Sequence, residues 1–204
     1  DYSLKDVQTK YQVRYRVFGS GSIEIEVKFS PAGRNLPEIP RLGMRMALPA
    51  DFRNIQWFGR GPHENYIDRK TAAFVGVYKS SVDEMLIPYV SIQEYGNRTD
   101  IRWAALSNKD GVGLMAVGLP QLDFSALPYT AEDLTQDTRG AKHPVDIAKR
   151  NFVALSLDYG QMGVGGDDSW GAMTHPQYQI RVREYTYKFR LQPFGKNDDL
   201  MALS

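Results

Sequence analysis

Apolar and polar residues alternate along most of this chain. Tyr11, Val13, Tyr15 and Val17 alternate with Gln12, Arg14 and Arg16, giving a half-buried strand over Tyr11–Phe18. After a Gly19-Ser20-Gly21-Ser22 turn, Ile23, Ile25, Val27 and Phe29 alternate with Glu24, Glu26 and Lys28. The pair reads as a hairpin whose outer faces set basic residues against acidic ones. A proline-bearing connector over Ser30–Pro40 leads to a strand over Arg41–Leu48 and a short one through Ile55 and Trp57 to Gly59. Further strands are expected over Ala72–Tyr78, Ile87–Ile92, Ile101–Leu106, Val112–Val117, Phe152–Leu157, Tyr178–Val182 and Tyr185–Leu191. Asn108-Lys109-Asp110-Gly111 has turn chemistry. Thr130-Ala131-Glu132-Asp133-Leu134 opens one short helix capped by Thr130. Arg139–Lys149 reads as a surface loop, and the polar tail from Gly195 as frayed. About eleven short strands with almost no helix predict an all-β, antiparallel sandwich or barrel in one domain.

Composition narrows the function classes. The 204 residues include 42% hydrophobic ones, enough for a core. A net charge of +1 gives no general attraction to nucleic acid or to anionic membranes. No apolar run approaches the ~18 residues of a membrane-spanning helix. Cysteine is absent, which excludes disulfides and thiolate chemistry and leaves the compartment open, cytoplasmic or periplasmic. The opening Asp1-Tyr2-Ser3-Leu4-Lys5 has neither an initiating Met nor a leader pattern, and reads as the start of a fragment or processed piece.

One stretch breaks the alternation: Met162-Gly163-Val164-Gly165-Gly166-Asp167-Asp168-Ser169-Trp170-Gly171. Its glycines mark a shaped loop, and loops on a rigid scaffold are where binding groups gather. The glycine spacing does not fit a dinucleotide motif, and there is no lysine for a phosphate loop. Asp167 and Asp168 are not an ordered cation-ligand set. They suit acceptance of N–H groups within their own turn, with Gly165, Gly166 and Ser169 as further loop supports. Trp57 and Trp103 are in phase with apolar neighbours and belong in the core. Trp170, between Ser169 and Gly171, has no such phase. It either packs inward or offers its face to a sugar ring, and the residues alone leave both readings open.

Two polar segments, Gly61–Asp68 and Gln93–Asp100, read as structural corners whose side chains satisfy loop backbone. A glycosidase needs two carboxyl groups held at a set separation. No such pair can be nominated from Glu64, Glu94, Asp167 and Asp168. His63, His143 and His175 show no metal spacing.

Several of these stretches resemble a known family. They are Trp57–Arg69, Pro88-Tyr89-Val90, Gly96-Asn97-Arg98-Thr99-Asp100 and, above all, Met162–Trp170. In this order they resemble the C-terminal domain (small chain, or fifth domain) of β-galactosidases of glycoside hydrolase family 2. The likeness runs from about Val13 to Leu191, nearly the whole chain. It implies a β-supersandwich of galactose mutarotase-like fold over residues 1–194, followed by a tail, and a domain that starts part-way in. It places the catalytic glutamates, with Mg2+ and Na+, in a TIM barrel of ~250 residues that this chain cannot contain. No catalytic residue and no cofactor are therefore expected here, and the isolated chain is expected to be inactive. The implied partners are the remaining domains of the parent enzyme and its galactoside substrate, within a homo-oligomer. The resemblance also carries one substrate contact, Trp170. Gln93-Glu94-Tyr95-Gly96 departs from the family's Gln-Glu-Asn-Gly, and His63 stands where some members have Gln. Two other classes remain as alternatives: a stand-alone carbohydrate-binding module, and an aldose epimerase drawing acid and base from His63, His175, Glu64 and Glu94.

Overall fold

The computed structural model describes residues 2–4, 9–32, 36–135, 143–168 and 170–204. Among these are ten strands: β1 (Tyr2–Leu4), β2 (Thr9–Val17), β3 (Ile23–Pro31), β4 (Arg41–Pro49), β5 (Asn54–Gly61), β6 (Phe74–Ser81), β7 (Arg98–Ser107), β8 (Gly113–Leu127), β9 (Phe152–Gln161) and β10 (Tyr185–Phe194). Every pairing between them is antiparallel. The predicted hairpin forms as β2 and β3, with Arg14 opposite Glu26 and Arg16 opposite Glu24.

One path through the sheet runs β1-β2-β3-β10-β8-β7-β5-β6, and β9 with β4 branches from β8. β8 can serve two neighbours because it changes partner along its length. Gly113–Leu119 pairs with β10, whereas Asp123–Leu127 pairs with β9. β7 lies along both halves, and its register shifts where β8 bends. At that bend Gly118 is essential: an added Cβ would stand 2.7 Å from the Cα of Gln121.

The main core lies between the long path and the β9–β4 branch. Ile25 and Val27 from β3 meet Trp57 from β5, Phe124 from β8, Leu155 and Leu157 from β9 and Phe189 from β10. Trp57 and Trp103 are both buried, as their phase requires. Trp103 sits on the opposite face with Met115, under Leu200 and Leu203.

Several expectations give way. Ile87–Ile92 forms no strand. Pro88 has no N–H to give a ladder, and the segment packs Ile87, Tyr89 and Ile92 on the core as irregular backbone. Tyr178–Val182 is replaced by a 3-10 turn at Pro176–Tyr178 and a single bridge from Ile180 to Ile39. Thr130–Leu134 stays a lone turn. Its predicted cap is present, with the N–H of Asp133 donating to Thr130 Oγ1 at 3.3 Å, but among the described residues the turn does not extend into a helix. The tail is not frayed: Leu200–Leu203 forms a helical turn, α1, capped by Asp199 and packed on Trp103. Of the expected surface loop, residues 139–142 lie outside the described residues; Pro144–Asp146 is a 3-10 turn.

Candidate functional site

The glycine-rich loop leaves the end of β9 and is fastened at its root. The N–H of Met162 donates to the carbonyl of Pro40 at 3.0 Å, and that of Gly163 to the carbonyl of Tyr178 at 2.8 Å. Further along, the N–H of Gly165 donates to Asp68 Oδ2 at 2.8 Å. Asp68 belongs to the Gly61–Asp68 corner, so one polar segment pins another across ninety-seven positions of sequence. No spacing rule in the sequence signals that contact.

Two glycines allow the close approach. A Cβ on Gly163 would lie 2.4 Å from Thr174 Oγ1, and one on Gly166 would lie 2.0 Å from the carbonyl oxygen of Ala172. The aspartates act within the loop. Asp168 Oδ1 accepts the N–H groups of Trp170 at 2.7 Å and Ala172 at 3.3 Å. The two oxygens of Asp167 lie 2.8 and 2.9 Å from His175 Nε2. Ser169 lies outside the described residues.

Trp170 stands on this framework with 91% of its surface exposed, and Val164 and Met173 in the same stretch of chain are exposed as well. A loop held by side-chain and backbone bonds, with a bare indole at its tip, presents a flat apolar face while its base stays fixed.

The Gly61–Asp68 and Gln93–Asp100 corners lock together. Asn65 Oδ1 accepts from the Thr99 N–H at 2.9 Å and the Thr99 hydroxyl at 2.7 Å. Asn97 Nδ2 donates to the Asn65 carbonyl at 3.0 Å. Buried Glu64 accepts the Gly96 N–H at 2.8 Å, Arg69 Nη2 at 3.0 Å and the Tyr89 hydroxyl. Arg98, buried over the Trp57 ring, donates to the carbonyls of Pro62 and Gly96 at 3.1 and 3.0 Å. Burial lowers its guanidinium to about 10, which leaves it charged at neutral pH. Tyr95, where the family pattern has Asn, is buried and stacked on Tyr89 with centroids 5.8 Å apart.

A second network lies at the loop's root. Arg41 donates to Asp158 Oδ2 through Nε at 2.8 Å and Nη2 at 2.6 Å, to Ser125 Oγ at 3.2 Å, and more distantly to Glu94 Oε1 at 3.5 Å. Asp158 is only 1% exposed. Its side chain fills the space a Cβ on Gly43 would need, 1.7 Å from that position. Burial raises the Glu94 carboxyl, against the pull of Arg41. Asp123, opposite Asp158 in the ladder, is pushed up to about 7 by burial and by the Asp158 charge.

Of the four groups an epimerase would draw on, His63 and Glu64 line one groove, and three of the four are already engaged. Glu64 is engaged by Gly96 and Arg69, Glu94 by Arg41, and His175 by Asp167. His63 lies on an open groove with Arg69 and Tyr89. Among the described residues, no group of three or more His, Cys, Asp or Glu side chains gathers as a metal site. No described helix is long and apolar enough to cross a membrane.

Residues 1–191 match the family described as beta galactosidase small chain. A beta-galactosidase of Priestia megaterium is 43% identical over 182 residues, covering 89% of this chain and 17% of its own. One from Vibrio cholerae is 37% identical over 191 residues, covering 94% of this chain and 18% of its own. One from Halalkalibacterium halodurans is 35% identical over 184 residues and again covers only 18% of its own length. Among solved structures, a galactose mutarotase related enzyme from Lactobacillus acidophilus aligns over 95% of this chain and 64% of its own, with a TM-score of 0.45 and 11% identity.

Proposed function

This chain belongs to the beta galactosidase small chain family, and from that premise we propose that it is the C-terminal domain of a β-galactosidase and sets Trp170 against the bound galactoside. The parent hydrolyses terminal β-D-galactosyl bonds by a retaining, two-carboxylate route. Its catalytic glutamates, together with Mg2+ and Na+, belong to a TIM barrel elsewhere in the longer chain. This domain contributes binding area and orientation, which lower the barrier by positioning.

The observation that carries this reading is the exposure of Trp170, 91%, on a loop whose backbone is fastened by Asp68 and Asp168. A large ring left bare on a secured loop suits a contact completed by another domain. Covering one such side chain is worth about 1.5–3 kcal/mol, equivalent to roughly 10–100-fold in kcat/KM.

The test is Trp170→Ala in the full-length protein. We expect kcat/KM for galactosides to fall by about 10–100-fold, with the thermal midpoint unchanged, since the exposed indole stabilises no core. Trp170→Phe should recover part of the loss. An unchanged kcat/KM in Trp170→Ala removes the substrate-contact role.

A further inference from the structure

A cavity of about 230 Å3 lies between the β4–β9–β8 surface and the turn over Tyr129–Leu134. Its lining is mixed: Arg41, Glu94, Ser125 and Ser156 are among the polar groups, with Arg45, Thr130 and Glu132, and Leu127 and Tyr129 are among the apolar ones. The Arg41 group is built into the fold. Asp158 fixes the Arg41 guanidinium through Nε and Nη2, and Ser125 accepts from Nη2 as well. Nη1 has only the 3.5 Å contact with Glu94, long for a charged pair. Donor capacity on Arg41 and acceptor capacity on Glu94 therefore remain at the cavity.

Both cations at the cavity have carboxylate partners. Arg41 faces Asp158 and Glu94. Arg45 is held by both oxygens of Glu132, at 2.9 and 3.2 Å. Two guanidiniums thus meet three carboxylates, so no spare positive charge selects an anion, and among the described residues no three His, Cys, Asp or Glu side chains gather as a metal site. A guanidinium that only donates, a carboxylate that accepts and hydroxyls that do both are complementary to a ligand with several hydroxyl groups. The apolar walls suit the C–H faces of such a ligand. Drug-sized ligands occupy roughly 300–1,000 Å3, so this smaller space fits one ring.

We propose that this cavity is a binding site for a single neutral monosaccharide, with ring hydroxyls on Arg41 and Glu94 and a C–H face on Leu127 and Tyr129. The site does not depend on the contact assigned to Trp170.

The experiment counts sugar. Equilibrium dialysis with labelled D-galactose gives the number of molecules bound to the full-length protein. Ala154→Phe projects a ring into the cavity from its wall and leaves the polar network in place. We expect this variant to bind one equivalent fewer than the parent protein, and Trp170→Ala to retain that equivalent. A count unchanged in Ala154→Phe overturns the proposal. Should that variant misfold, Glu94→Gln serves instead. It should weaken the same equivalent by about tenfold or more, the effect of losing a charge-assisted hydrogen bond. Undiminished affinity in Glu94→Gln overturns the proposal equally.

Discussion

Gly166 has no room for a methyl group, because an added Cβ would meet the Ala172 carbonyl oxygen at 2.0 Å, a backbone atom that cannot swing aside. Gly166→Ala must therefore move the loop without touching the core. We expect it to reproduce most of the kcat/KM loss of Trp170→Ala in the full-length protein, with the thermal midpoint within about 2–4 °C of the parent. A rate equal to the parent would mean that the loop's shape is immaterial to Trp170. A second residue carries a pH signature. Asp123 is raised to about 7 by burial first and by Asp158 second; the N–H of Asp100, which donates to its carboxyl, opposes the rise, the Asp100 charge adds to it less, and Lys70 opposes it. Its unfolded value is ordinary, near 3.8. The folded state therefore binds more protons between those values. Its stabilising share is full below the lower value and is lost as pH rises through about 7. Lowering the pH from 8 to 5.5 should raise the midpoint by a few degrees, on the order of 1 kcal/mol once partial solvent access is allowed for. Asp123→Asn should flatten that slope, and an identical slope in the variant would exclude Asp123 as its source. At this scale the sequence was partly legible. The phase of Trp57 and Trp103 forecast burial, and the missing phase of Trp170 singled it out. Asp68 as the clasp on Gly165 was not legible, since a bond joining residues so far apart in sequence leaves no local pattern.

Among the elements, alternation forecast those strands that bury one face, such as β2, β3 and β10, because a period of two is what such a face imposes. It misled where apolar residues anchor irregular backbone. Ile87 and Ile92 pack on the core from a segment that Pro88 excludes from a ladder. It also missed α1, four residues too short to display a helical period. That turn nevertheless covers buried Trp103 with Leu200 and Leu203, and Arg190 Nη2 ties its end through the Leu203 carbonyl at 2.5 Å. Both leucines are only partly buried, so together they contribute about 2 kcal/mol rather than the sum for two full burials. The double variant Leu200→Ser, Leu203→Ser should lower the thermal midpoint by roughly 4–8 °C. It should leave the fold and the loop at Trp170 intact. A midpoint unmoved would show that α1 rests on the sheet without stabilising it.

For the molecule as a whole, the all-β class follows from the many short strands, whereas the branching of the sheet at β8 does not. A chain that pairs with β10 along one half and β9 along the other gives the same alternating signal as an ordinary strand. Beside the apolar core that the branch shares with the rest, a polar clamp joins the two. Arg41 on β4 reaches Asp158 on β9, Ser125 on β8 and the segment bearing Glu94. Gly43, where the β4–β9 register shifts, leaves the space that Asp158 occupies. Removing one partner of such a buried pair strands the other charge, at a cost of roughly 3–5 kcal/mol. Arg41→Met should therefore be severely destabilising. Arg41→Met combined with Asp158→Asn should cost less than Arg41→Met alone, since the most deeply buried carboxylate is then no longer left without its cation. Hydrogen exchange would locate the effect. In Arg41→Met the amides of β4 and β9 should lose protection before those of β2 and β3, because the clamp holds the branch and not the hairpin. Uniform loss of protection across all strands, or a double variant no better than the single, would show that the branch is held by its apolar face alone.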